Sequence, residues 1–215
     1  MRPRLLAVDT TSEHGSIALI EDGELLDVVG IHSPDGFSQV LFGELQKLLA
    51  ARNLGIKDMS AFAAANGPGS FTGVRVGLAA VKGLAEATGT PVFAVSNLQA
   101  MALFGSRSLR APVIDARRGE VYGAVYNSDF ELVLAETVMP LDTWIEGLPE
   151  GDLEIVTCGV MIPDLRRVTE APKSLAGAVG QIAARRLLKG AIPRPEDVDA
   201  NYVRRSDAEL KWRES

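Results

Sequence analysis

The chain has 215 residues, 47% hydrophobic and 23% charged, with 22 basic against 28 acidic side chains and a formal net charge of −6. These proportions are those of a globular protein and exclude a disordered or fibrous chain. The length exceeds a typical domain of roughly 150 residues, so one large domain or two small lobes fit. A negative balance also argues against self-sufficient nucleic-acid binding, which needs basic surface to displace phosphate counterions. The asymmetry is informative: residues 1–150 carry 11 basic and 18 acidic side chains, whereas 151–215 carry 11 and 10. Contact with RNA is therefore expected through the C-terminal part or through a partner. A single cysteine, Cys158, excludes an intrachain disulfide and fits a reducing cytoplasm. No signal peptide is expected. The longest uncharged run, residues 87–106, is broken by Gly89, Pro91 and Asn97, so it reads as strand, turn and helix rather than a membrane span.

In chain order, residues 5–9 (LLAVD) read as a buried strand ending on Asp9, followed by the polar turn 10–14 and two further strands at 15–20 and 24–30. Residues 37–52 have helical spacing, but their apolar positions cover about 200° of arc, twice the roughly 100° stripe that one core needs. A second surface is expected there. A short strand at 61–66 leads into GPGSFTG (67–73) and a helix to about Thr88, on which Gly73, Gly77, Ala80 and Leu84 form a small-residue face suited to close helix approach. A strand at 90–95 and a short helix at 97–104 follow. The order then recurs: a strand ending on Asp115, a turn at 116–119, and strands at 120–126 and 130–138. Alignment of Asp9 with Asp115 gives an offset of half the chain and suggests an internal duplication, the alternative being two unrelated β-meanders. A helix near 141–146, a strand at 154–157 and a long helix at 174–189 complete the second half.

A strand-terminal Asp followed by small hydroxyl residues is suited to holding phosphate and a magnesium-bound water. That makes Asp9, Thr10 and Thr11, with Asp115 and Arg117 at the equivalent turn, candidates for phosphate binding. Gly67, Gly69, Ser70 and Gly73 open a helix whose N-terminus would favour an anion, with Ser70 or Thr72 as N-cap. The lysine of a Walker loop is missing. The alternative reading makes both loops plain connections. His14 and His32 lie 18 residues apart on different elements without metal-ligand spacing, and read as surface or turn residues. Cys158 reads as core. The pairs Arg166–Arg167, Arg185–Arg186 and Arg204–Arg205 read as solvated faces.

Three blocks carry a family likeness: LAVDTTSE (6–13), GPGSFTGVRVG (67–77) and VIDARRGEVY (113–122). Together they resemble the bacterial threonylcarbamoyladenosine biosynthesis family TsaB, also called YeaZ, and the ending 202–209 is similar too. The resemblance runs nearly end to end. It implies an α/β, actin-like (ASKHA, ribonuclease H-like) fold of duplicated βββαβα lobes with mixed sheets, divided at 1–105 and 106–215. It further implies a non-catalytic scaffold and activating subunit that binds TsaD, which transfers threonylcarbamoyl to the adenosine beside the tRNA anticodon. TsaE, an ATPase, would complete a ternary complex, tRNA would be met only through that complex, and the isolated chain would form a homodimer. The implied partner interface lies on two helices, at Phe37, Leu41, Phe42 and Leu45 on the first and Gly73, Gly77, Val81 and Leu84 on the second.

Departures from the family pattern also matter. Catalytic relatives hold a metal through a paired-histidine motif that this chain lacks, so no metal ligand is assigned. Only Cys158-Gly159-Val160 stands where actin-like ATPases have a Gly-Gly pair, which leaves the nucleotide site degenerate. Many relatives have a histidine where this chain has Gly36-Phe37. No cofactor is assigned; ATP or ADP with Mg at the lobe cleft or the partner interface stays open. The rival function is an ATP-dependent small-molecule phosphotransferase of the same superfold, with Asp9 and Asp115 around Mg-ATP.

Overall fold

The computed structural model describes residues 2–163 and 167–204; Arg166, Arg205 and most of the family-like ending lie outside them. Two compact units form, one from residues up to Ala100 together with Pro172–Ala200, the other from Met101–Ala171 with the residues from Asn201.

The first unit is built on a five-stranded sheet of β1 (Arg4–Asp9), β2 (His14–Glu21), β3 (Glu24–His32), β4 (Ala61–Ala65) and β5 (Val92–Val95), in the order β3-β2-β1-β4-β5. The three N-terminal strands form an antiparallel meander, whereas β1, β4 and β5 run parallel. Parallel strands need both faces covered. One face is covered by α1 (Leu41–Ala51) and α2 (Phe71–Thr88), whose Leu41, Leu45, Leu48, Val74, Leu78 and Val81 join Leu6, Val8, Ile17 and Leu19 of the strands in one buried cluster. The opposite face receives α5 (Ala176–Leu188). Its Gly180 sits so close to the sheet that a Cβ there would lie 2.5 Å from Ile20 Cγ1 and 3.1 Å from the Ala7 Cβ. This helix belongs to the second half of the sequence, yet the small residues Ala176, Gly177, Gly180 and Ala183 let it lie flat on the first sheet. Division of the chain at 105/106 therefore separates the two sheets but misplaces this helix. Arg186 on α5 is not a solvated residue either: its guanidinium donates to the Ala94 carbonyl (2.9 Å) and to Gln99 Oε1 (2.6 Å).

The second unit repeats the sheet. β6 (Leu109–Arg117), β7 (Glu120–Asn127) and β8 (Leu132–Pro140) form the meander, and β9 (Leu153–Thr157) and β10 (Val168–Glu170) run parallel to β6, in the order β10-β9-β6-β7-β8. Read from the other edge, this is the order of the first sheet, with β6 standing for β1. The expected repeat is thus present in the sheets, and the fold is α/β with two mixed five-stranded sheets. The copies differ in their helices. α2 fills the crossover from β4 to β5, but among the described residues no helix connects β9 to β10. α4 (Leu141–Glu146) covers one face of the second sheet, where Trp144 is buried over Val121, Val125 and Ile155. Arg204 is likewise bound rather than solvated, donating to the Ala116 carbonyl (3.1 Å) and to the Glu120 carboxylate. A buried Glu154 ties down the start of this unit: although burial opposes its ionisation, the Arg107 amide, the Thr169 hydroxyl and Ser106 hold its carboxyl below the ordinary 4.5.

The strand and helix boundaries otherwise follow the sequence to within a few residues, with two exceptions. The short β10 is missed, having too few residues to show a period. The first helix starts at Leu41, four residues later than its apolar pattern suggests, because Phe37 precedes it in a turn and turns its ring onto Gly15. Phe37 and the N-cap Val40 both precede the helical stripe, and without them the apolar arc narrows to about 120°.

The indole of Trp144 occupies the space a side chain on Gly123 would need. Gly123→Ala is expected to destabilise the second unit by about 1–3 kcal/mol through overpacking, read as a lower urea midpoint with an unchanged slope.

Candidate functional site

The turn after β1 is a buried polar lattice. Asp9, 1% exposed, accepts at Oδ1 from the Thr11 amide (3.0 Å) and the Thr11 hydroxyl (2.6 Å). Its Oδ2 faces the Leu175 amide at 3.4 Å, at the start of α5. The next amide of that helix, Ala176, donates to Ser16 Oγ on β2 (3.1 Å). α5 has no capping side chain of its own, so Asp9 and Ser16 satisfy donors that its first turn leaves open. Burial pushes the Asp9 carboxyl above its ordinary value near 3.8, against the lowering effect of these bonds.

Asn97, the first residue of α3 (Asn97–Ala102), joins this turn to the glycine-rich loop. Its Nδ2 donates to Thr11 Oγ1 (2.6 Å) and its Oδ1 accepts from the Gly67 amide (3.0 Å). The Ser70 amide donates to the Thr11 carbonyl (2.7 Å), and the Thr10 hydroxyl donates to the Gly73 carbonyl (2.7 Å). Ser70, not Thr72, is the N-cap of α2, its hydroxyl accepting from the Gly73 amide (3.2 Å). Gly73 and Gly77 of α2 serve this junction: a Cβ on Gly73 would overlap the Thr10 carbonyl, and one on Gly77 would stand 2.6 Å from Thr10 Oγ1. Gly69 likewise abuts Thr11.

Beside the lattice a cavity of about 390 Å³ opens at the N-terminus of α2. Thr10, Ser70, Thr72 and Gly73 form one wall, the loop of residues 33–38 another, and Ser12 and Glu13 a third. Of the phosphate-binding candidates in this unit, Thr10, Ser70 and Gly73 line the cavity, while Asp9, Thr11, Gly67 and Gly69 lie outside its lining. Asp115 and Arg117 belong to the other unit. There the Arg117 amide donates to Asp115 Oδ1 (2.8 Å), the same Asp turn as at Asp9, but the Asp115 side chain is 53% exposed. Arg117, Arg118 and Gly119 all take positive φ (66°, 57° and 77°) to turn the chain.

The Mg-nucleotide that actin-like folds imply does not suit this turn. The Asp9 carboxylate is bonded by Thr11 and Leu175, and the Gly67, Ser70 and Gly73 amides are taken by Asn97, the Thr11 carbonyl and the Ser70 hydroxyl. The cavity wall adds Glu13 and Asp35 with no basic residue, a lining that repels polyphosphate. Among the described residues no group of three or more His, Cys, Asp or Glu is placed to hold a metal ion. No helix among the described residues is long and apolar enough to cross a membrane.

The expected partner face is also redrawn. Phe37, Leu41, Leu45, Gly73, Gly77 and Val81 are buried within the unit itself, and Leu84 is half-buried. Phe42 remains, 53% exposed; Val40 and Phe71, which lay outside the expected interface set, are exposed too, and the Arg75 guanidinium lies over the Phe71 ring at 3.5 Å from its centroid.

Residues 33–157 match the family described as TsaD, tRNA N6-adenosine threonylcarbamoyltransferase. The TsaB protein of Bacillus subtilis, a tRNA threonylcarbamoyladenosine biosynthesis protein, is 29% identical over 98% of both chains. A Pseudomonas aeruginosa structure described as similar to peptidase YeaZ superposes with a TM-score of 0.77 at 30% identity, covering 94% of this chain and all of that one. The chain belongs to this TsaD-type family, within its TsaB/YeaZ branch. Escherichia coli TsaB is 39% identical over 59% of this chain and 56% of its own length. With that placement the cavity and the exposed aromatics at the ends of α1 and α2 are the features to which a function must be fitted.

Asn97 carries no motif of its own; only its position in space reveals it. Asn97→Ala leaves the buried Gly67 amide without its acceptor and is expected to cost roughly 2 kcal/mol, whereas a loss below about 0.5 kcal/mol in urea unfolding would show the lattice to be dispensable. Because the Asp9 carboxyl is raised in the folded state, its charge costs nothing below the unfolded value and weakens the fold as pH rises above it. Asp9→Asn should therefore gain in thermal midpoint relative to the parent between pH 3.5 and pH 7; a constant difference would contradict the shift.

Proposed function

We propose that the chain is a non-catalytic scaffold and activating subunit of the tRNA threonylcarbamoyladenosine modification machinery, acting in the cytoplasm by binding TsaD and supporting threonylcarbamoyl transfer beside the anticodon. The observation that carries this reading is the end-to-end likeness to Bacillus subtilis TsaB, 98% of each chain. Two features support the scaffold role. The Asp9 carboxylate, which a phosphotransferase would use, is committed to the fold. The acidic first part of the chain, 11 basic against 18 acidic residues, is ill-suited to hold tRNA directly. TsaE would join through the complex, and the isolated chain would pair with a second copy through the same exposed aromatics. An activator of this kind binds the competent state of its partner more tightly than the other, with about 1.4 kcal/mol of preference for each tenfold shift in population.

The rival reading, a phosphotransferase using Mg-ATP, predicts calorimetric binding of Mg-ATP that is lost in Asp9→Asn. The scaffold reading predicts none by the isolated chain.

Val81→Asp and Leu45→Asp are unfolding variants, since both side chains are buried. The probe of the interface is Phe42→Glu with Phe71→Glu. This pair is expected to weaken co-elution with TsaD by about tenfold or more and to lower tRNA modification in a reconstituted assay, with an unchanged circular dichroism spectrum. Wild-type co-elution would remove the assignment.

A further inference from the structure

The chain has two histidines, and the fold brings them together. His14 opens β2 and His32 closes β3, and the antiparallel register sets them directly opposite each other. Their ring centroids are 4.9 Å apart, with the planes tilted by 38°. Both lie at the surface, open to solute. The carboxylate of Glu13 stands 3.5 Å from His14 Nδ1.

We propose that His14 and His32 form a two-histidine chelating site for a divalent transition metal of borderline softness, such as Zn²⁺, Ni²⁺ or Cu²⁺. The centroid separation is one that a chelate requires. A metal–nitrogen distance of about 2.1 Å places an imidazole centroid about 3.2 Å from the ion, so a nitrogen–metal–nitrogen angle of about 90–110° requires centroids about 4.5–5.2 Å apart. The observed separation falls inside this window. Two neutral imidazoles suit these metals rather than Mg²⁺ or Ca²⁺, which prefer oxygen ligands. Glu13 has a supporting part: its carboxylate beside Nδ1 leaves Nε2 of His14 to the ion, and its negative charge offsets that of the ion. Glu13 does not complete a triad, in keeping with the lack of any three-residue cluster among the described residues, so the remaining coordination positions belong to water or to an incoming group. The pair fastens the open end of the β2–β3 hairpin. Glu13 and the neighbouring Ser33 both line the cavity at α2, so an ion held here would sit at the rim of that cavity.

The test uses the full chain without a polyhistidine tag, titrated with Zn²⁺ alone and followed by the imidazole resonances, which two histidines make unambiguous. One equivalent should shift both rings together. His14→Gln and His32→Gln should each weaken binding by at least about tenfold while keeping the parent's circular dichroism spectrum, and Glu13→Gln should weaken it by about tenfold. Shifts confined to one ring would overturn the proposal, as would undiminished affinity in His32→Gln or saturation only at many equivalents.

Discussion

At the end of β1 a buried polar lattice forms around one carboxylate, drawing in segments far apart in sequence. The turn of residues 10–11 gives Asp9 an amide and a hydroxyl, α5 gives it the Leu175 amide, and Asn97 extends the lattice to the glycine-rich loop. A buried carboxylate is tolerated only where donors compensate for the water it has lost. The arrangement of α5 across the sheet, the path of the loop at 67–73 and the start of α2 are all bound to that requirement. The missing side chains of Gly73 and Gly77 are part of it, because the helix must come within touching distance of the Thr10 carbonyl for the bonds to form.

The duplication shows how one turn can serve two ends. In both units the first strand carries, at its end or two residues before it, an aspartate whose Oδ1 accepts the amide two residues on. In the first unit α2 and α5 close over this turn and convert it into a structural node. In the second no described helix occupies the place of α2, and Asp115 stays exposed. The same local chemistry is thus load-sharing in one copy and solvated in the other. A catalytic carboxylate must be free to meet a ligand, and that of Asp9 is not. Open to a partner in this unit are the cavity at the head of α2 and the exposed apolar side chains Val40, Phe42 and Phe71.

Much of this was legible beforehand. The two meanders, their Asp turns, the loop at 67–73 and the amphipathic helices all followed from alternation, turn residues and helical spacing, since these are local rules. The errors have local causes as well. Phe37 fits a helical stripe by spacing but belongs to a preceding turn, and Gly73 and Gly77 of α2, which suit close helix approach by composition, lie against Thr10 just past the end of β1. The arginine pairs looked solvated, while Arg186 and Arg204 find carbonyl and carboxylate partners far along the chain.

By itself the sequence determined the elements, the repeat and the family, because each is encoded in residues near one another or in blocks of matching order. Tertiary structure alone decided which side chains are free to act. Hydrogen bonds to Asp9 reach across 166 residues, the Asn97–Thr11 bond spans 86, and the two histidines meet only through strand register. Burial and convergence of this kind depend on how elements pack, and no periodicity along the chain records them.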